Sequence, residues 1–215
     1  METVLSFDVG GTYVRAGLFD KNAQLVRYVF QPSPAPDIKE NKAEISAEAW
    51  WRAVCELAKE LFRERENHIA DVMGICVSSV TRTQFFLDEN GTPLRPAIIW
   101  LDGRATAQAD YLKETLQRMK EKNETADMGL INAYHPLSRI MWVKEKEPDV
   151  FTKTRWVLQP KDYVNYKLTG VVAGDLISSF AWAGMNKAST VVKVVARIKT
   201  ENQFFFLIFF PPLLL

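Results

Sequence analysis

Cysteine and histidine are nearly missing from this sequence, with two of each in 215 residues. Cys55 and Cys76 are far apart and stand near no histidine cluster, so neither a zinc site nor a disulfide framework is expected. His68 and His135 fall in no HExxH or similar metal-binding pattern. A charge excess is missing too. Lys and Arg number 27 against 26 Asp and Glu, a formal net charge of +1, which argues against nucleic acid or an anionic membrane as the main partner. No apolar run reaches the length of about 20 residues that a membrane-spanning helix needs. The most apolar stretch, Phe204 to Leu215, is shorter and is interrupted by Pro211 and Pro212. No basic leader followed by an apolar segment comes after Met1, so no secretory signal is expected and a reducing cytoplasm is the natural compartment.

What is present begins at Leu5-Ser-Phe-Asp-Val-Gly-Gly-Thr-Tyr-Val-Arg-Ala-Gly-Leu-Phe-Asp20. An apolar strand runs into Asp8, turns through Gly10, Gly11 and Thr12, and leaves as a second strand carrying Arg15. Glycines permit torsions that a side chain forbids and let peptide N–H groups approach a ligand. Successive N–H groups in such a turn suit phosphate oxygens, and a carboxylate such as Asp8 suits Mg²⁺ held through water. The stretch therefore reads as a nucleotide-phosphate hairpin. The alternative is an ordinary hairpin with a solvated Asp8.

Segments 3–9, 13–19 and 25–30 predict an antiparallel meander, and the Pro- and charge-rich residues 31–45 a surface loop. Ser46 reads as an N-cap before a helix with Trp50, Val54, Leu57 and Leu61 on one face, running to about residue 66. Asp71–Val80 predicts a buried strand flanked by helices, with a polar exit at Ser78–Thr83 where α/β proteins place ligands. Phe85–Asp88 and Ala97–Trp100 predict a hairpin, and residues 104–122 a helix. A loop over 123–136, a short helix over Ser138–Lys146, an extended Arg155–Leu158 and a helix from Pro160 to Leu168 complete the pattern.

Several pieces, in order and at matching spacing, resemble the FGGY family of carbohydrate kinases. They are Asp8–Thr12 with Arg15, Glu48-Ala-Trp-Trp51, and Asp88 to Arg104 with its Trp100-Leu-Asp102-Gly-Arg104 turn. Ile140 to Phe151, Leu158 to Tyr163, Leu168-Thr-Gly170 and Asp175 follow. The ROK sugar kinases share the first piece only. The resemblance implies an α/β fold of the ribonuclease-H-like, actin-like ATPase type, a mixed sheet flanked by helices. It implies transfer of the ATP γ-phosphoryl group to a sugar or polyol hydroxyl, with ATP and Mg²⁺ as cofactors. Asp8 matches the Mg²⁺-holding acid, Gly10, Gly11 and Thr12 the phosphate turn, and Arg15 a basic position near the γ-phosphate. Gly11 departs from the Thr or Ser most members carry. Thr81 and Arg82 match the pair that binds substrate hydroxyls, Met-His in xylulokinases and Arg-Glu in glycerol kinases. Trp100 matches an aromatic lying against the substrate carbons, Asp102 and Arg104 the turn shaping the pocket, and Tyr134 a substrate-contacting tyrosine. Each has a plainer reading: Trp100 as core, Asp102 as a helix cap, Arg104 as a structural ion pair, Arg82 as solvated.

The resemblance covers residues 3–187. The division expected is a sugar-binding kinase domain over 1–187 and an aberrant apolar tail over 188–215, as from a shifted reading frame. The family's catalytic base, an Asp in a Gly-Asp-Asn/Gln segment, and its adenosine-binding glycines have no match, so no catalytic residue is assigned. The expectation is a kinase by family that is inactive as this chain alone. The alternatives are a non-catalytic sugar-binding or regulatory module, or one half of a split kinase. The partners implied are a small-molecule sugar or polyol, with a second copy of the chain or a second domain.

Overall fold

The computed structural model describes residues 2–63, 66–121 and 130–174. The predicted tail, the boundary at 187 and Asp175 lie outside the described residues. β1 (Thr3–Val9), β2 (Tyr13–Asp20) and β3 (Leu25–Pro32) form the expected antiparallel meander. Along β1, Thr3, Leu5, Phe7 and Val9 are buried, which leaves Val4, Ser6 and Asp8 on the opposite face.

The stretch expected to be a loop over 31–45 is partly strand. β4 (Asp37–Lys39) and β5 (Lys42–Ile45) pair across Glu40, whose φ of 54° makes the turn. β5 is then held by Ala97–Ile98, more than fifty residues away, so local composition carried no signal for it.

α1 (Ala47–Phe62) starts where predicted: the Ser46 side chain accepts the Ala49 amide at 3.3 Å. Its buried Trp50, Ala53, Val54, Leu57 and Leu61 pack on Leu5, Phe7 and Val9 of β1 and Val14, Ala16 and Leu18 of β2. β6 (Val72–Ser79) pairs with β1 in parallel, giving a mixed four-stranded sheet in the order β3-β2-β1-β6. It is not the fully buried strand expected. β6 is the end strand of this sheet among the described residues, and Met73 and Ile75 are 68% and 46% exposed.

The predicted hairpin over 85–100 also divides differently. β7 (Phe85–Leu87) pairs with β9 (Trp156–Leu158), and β8 (Ala97–Ile98) pairs with β5. Only isolated bridges, Gln84 to Ile98 and Leu87 to Pro93, link the two arms. Pro93 and Pro96 supply no N–H donor, so a continuous ladder cannot form between them.

α2 (Thr106–Glu121) and α3 (Pro136–Lys146) pack through Ala109, Leu112 and Leu137. α3 begins two residues before its predicted start, because His135 caps it by accepting the Leu137 amide at 3.2 Å. A short α4 (Pro148–Lys153), not predicted, follows. α5 (Pro160–Thr169) ends at Gly170, which takes the left-handed φ of 71° common at helix C-termini. No helix among the described residues is long and apolar enough to cross a membrane.

α5 is tied to α1 by Tyr163, which donates to Glu48 at 2.5 Å while Lys167 stands 3.3 Å from the same oxygen. The Tyr163 hydrogen bond is the main reason the Glu48 carboxyl lies below its ordinary value of 4.5. A depressed carboxyl stabilises above its unfolded value and loses that contribution as pH falls through the folded one. Glu48 is half exposed, so the contribution is about 0–1 kcal/mol. Tyr163→Phe is therefore expected to cost more stability at neutral pH than in acid below 4.5, which urea melts at both pH values would measure.

Candidate functional site

The register of the meander builds the first half of the site. Asp8 lies on the sheet face away from α1, and pairing with β2 sets Arg15 opposite it. Arg15 Nη1 donates to Asp8 Oδ2 at 2.8 Å, with the two side chains 39% and 44% exposed. Ser78 of β6, registered beside Asp8, reaches to 3.5 Å of Oδ1. The turn between them closes by the Gly10 amide on the Tyr13 carbonyl at 3.1 Å. Ser33 braces it, its hydroxyl donating to the Gly10 carbonyl at 2.6 Å and its amide to the Thr12 carbonyl at 2.9 Å. Thr12 is exposed at the tip.

The glycines serve close approach rather than torsion. Neither Gly10 nor Gly11 takes a positive φ, which corrects the reading from sequence. A Cβ at Gly11 would overlap the ring of Trp100, and one at Gly10 would come within 2.6 Å of the Tyr13 carbonyl. Trp100 thus rests directly on the hairpin backbone. Gly11→Thr is expected to lower stability by about 1–3 kcal/mol, the usual cost of overpacking. Denaturant melts of Gly11→Thr, Trp100→Leu and the double variant would show the cost relieved when both are changed.

Asp102 and Arg104 are turned inward and onto each other. Asp102 is fully buried, and its carboxylate accepts the Ala43 amide at 2.7 Å, the Arg104 amide at 3.1 Å and Arg104 Nε at 2.9 Å. Arg104 Nη2 lies 2.7 Å from Asp102 and 2.6 Å from Glu44, and its guanidinium stacks over Trp142. Burial opposes the Arg104 charge, but the bonds to Asp102 and Glu44 outweigh it and raise the pKa. Glu44 also holds Arg95, which faces Glu147 at 3.3 Å. Asp102 does not cap α2, which begins four residues later. A cavity of about 360 Å³ beside this network takes in Glu44, Arg95 and Arg104 but none of Asp8, Gly11, Arg82 or Trp100.

Thr81 and Arg82 lie exposed where β6 ends, Arg82 with a left-handed φ of 55°. Tyr134, 46% exposed, sets its ring against Gly103, where a Cβ would come to 3.3 Å of the phenol oxygen. The residue that joins these segments was not predicted. Arg139 of α3 is fully buried, and its Nη1 donates to the Arg82 carbonyl at 2.6 Å. Nη2 donates to the Trp100 carbonyl at 3.1 Å and the Asp102 carbonyl at 2.8 Å, and Nε to Asp102 at 3.0 Å. Burial lowers its pKa to about 10. The available signal was its position: 139 shares a helix face with the buried 136, 140 and 143. Arg82, Trp100, Asp102 and, through Trp100, Gly11 therefore converge; Thr81 adjoins them and Tyr134 borders them at Gly103.

The profile of the FGGY family of carbohydrate kinases, N-terminal domain, matches residues 3–189. The chain belongs to the FGGY family. Among curated relatives, this FGGY chain is 31% identical over 174 residues to the xylulose kinase of Bacillus subtilis (strain 168), covering 80% of the chain and 34% of the relative. It is 28% identical over 172 residues to a probable L-xylulose kinase of Haemophilus influenzae, with 79% and 34% covered. The chain thus spans about a third of the length of the curated relatives it matches. Among solved structures, xylulose kinase from Rhodospirillum rubrum superposes with a TM-score of 0.75 at 24% identity, covering 84% of this chain and 36% of that one. Plasmodium falciparum glycerol kinase with ADP gives 0.69 at 17% identity, with 83% and 37% covered. The fold of this FGGY chain is accordingly the actin-like ATPase type, with its mixed sheet and helices.

Proposed function

We propose that this chain is the sugar-binding, phosphate-contacting first domain of an ATP-dependent carbohydrate kinase. The observation that carries the reading is the seat of Trp100 on Gly11, since it joins a sugar-facing wall to a phosphate turn. In this reading the domain occupies 1–187, residues 188–215 are a foreign tail, and the protein works in the cytoplasm. The acceptor is a hydroxyl of a sugar or polyol, and the xylulose and L-xylulose kinases among the relatives favour a ketopentose such as xylulose.

The residues fit such a substrate. Trp100 offers an apolar face to sugar carbons, while Thr81, Arg82 and Tyr134 offer polar groups to its hydroxyls. Asp102 and Arg104 act from behind, holding the turn that bears Trp100. Gly10, Gly11 and Thr12 line the turn for phosphate oxygens, and Arg15 adds positive charge beside it. Asp8 fits Mg²⁺: the ion favours one or two carboxylates together with waters and phosphates, and among the described residues Asp8 Oδ1 has only the long Ser78 contact. When bound, Mg²⁺ supplies charge neutralisation on the phosphates.

Calorimetry on the 215-residue chain tests this, with D-xylulose, other ketoses, glycerol and Mg-ADP as titrants. The expected result is selective sugar binding, weakened about tenfold by Trp100→Ala, and nucleotide binding lost in Asp8→Ala with sugar binding kept. Absence of any sugar binding would overturn the reading. Sugar binding with no nucleotide binding would favour a non-catalytic sugar module.

A further inference from the structure

We propose that Arg139 is the positioning residue of the sugar pocket, its guanidinium fixing the two backbone segments that present Arg82 and, two residues apart, Trp100 and Asp102. This rests on the sugar-site reading above and names the group that holds that site in shape.

Every N–H of the Arg139 guanidinium has an acceptor. A guanidinium carries five N–H groups in a planar fork. Arg139 directs five bonds: two to the Asp102 carbonyl, one each to the Trp100 and Arg82 carbonyls, and a longer one of 3.4 Å to Gln84 Oε1. All of these acceptors are uncharged. A buried cation kept merely for stability would be expected to meet a carboxylate, because burying charge is costly. Here the charge is spent on main-chain oxygens from the end of β6 and from the turn after β8. Those segments are bridged once by backbone, between Gln84 and Ile98, and Arg139 ties them together again beyond that bridge.

Two further features tie the contact to the site. Arg82 is a non-glycine residue in the left-handed region, a conformation that persists only where surroundings over-determine it. The shortest Arg139 bond closes on that residue's carbonyl. Trp100, held through its carbonyl, lays its ring on Gly11, so a shift of the clamp reaches the phosphate turn as well. Lysine cannot replace this fork, since its three donors radiate from a single point. Methionine fills similar space but leaves the carbonyls of 82, 100 and 102 without a partner.

The test uses Arg139→Lys and Arg139→Met in the full 215-residue chain, with Val143→Ala as the control. Val143 is buried on the same helix, in a core with Phe86 and Ile98. Amide hydrogen exchange reads the clamp without any ligand, and calorimetry with D-xylulose reads the pocket. Both Arg139 variants are expected to raise exchange over residues 81–84 and 99–104 by at least about tenfold while α1 stays protected, a local rather than global opening. Sugar affinity should fall by about tenfold or more in both, the lysine variant included. Val143→Ala should lower the melting temperature and leave both readouts unchanged. The proposal is overturned if exchange in the two segments matches the parent, or rises evenly over the chain in all three variants. It is equally overturned if a folded Arg139 variant binds D-xylulose within about twofold of the parent. Should the methionine variant not fold, the lysine variant decides alone. A parent chain that binds no sugar defeats the sugar-site reading, while exchange still decides whether Arg139 holds the segments.

Discussion

Purified by itself and supplied with Mg²⁺, ATP and a panel of pentoses, hexoses, ketoses and polyols, the 215-residue chain is expected to form ADP no faster than sugar-free controls. Phosphoryl transfer is mostly positioning and charge stabilisation, with a carboxylate accepting the hydroxyl proton. The described carboxylates near the hairpin cannot serve that purpose. Asp8 is engaged by Arg15 at 2.8 Å and is the group suited to Mg²⁺. Asp102 is wholly buried, its oxygens taken by Ala43 and Arg104. A general base contributes about 10²–10⁴-fold. The chain spans about a third of the length of its curated relatives, and alignment of a well-oriented pair is worth about 10⁵ M or more in effective molarity. A coupled ADP assay checks the result. Sugar-dependent turnover near the common enzyme range of about 10 s⁻¹ would sink it.

The largest expected effect on stability belongs to Asp102→Ala. The substitution leaves Arg104, whose side chain is 2% exposed, with Glu44 alone, and strips the Ala43 amide of its acceptor. Removing one partner of a buried pair typically costs about 3–5 kcal/mol. Against a whole-domain stability of about 5–15 kcal/mol, that is enough to unfold a marginal domain. Urea melts should show the midpoint falling steeply, with Asp102→Asn intermediate because one acceptor oxygen remains. A loss below about 1 kcal/mol would mean that the pair contributes no more than a surface ion pair. Such a result would return both residues to solvent or ligand contact.

Legibility in the sequence followed range. The meander could be read because alternation in β1 and the turns after β1 and β2 are local signals, and α1 because Ser46 and the 3.6-residue spacing lie within one segment. The parting of β7 from β8 could not. Each short apolar run is compatible with several partners, and the choice falls to Trp156–Leu158 for one and Lys42–Ile45 for the other. The exposure of Met73 and Ile75 on β6 was equally hidden, since an apolar run does not tell whether neighbours cover both faces. Asp8 and Arg15 were identifiable by motif, yet their ion pair is a consequence of register.

The sequence by itself determined the family, because motifs from Asp8 to Gly170 occur in one order and spacing, and it determined the elements whose periodicity and caps are local. Only the tertiary structure decided what those motif residues touch. It set Trp100 on Gly11, turned Asp102 and Arg104 inward, and drove Arg139 under the loops that carry Arg82 and Trp100. The physical reason is that periodicity and capping act within a few residues. The burial of a charge and the partners of a carbonyl depend on chains that meet only when the core closes.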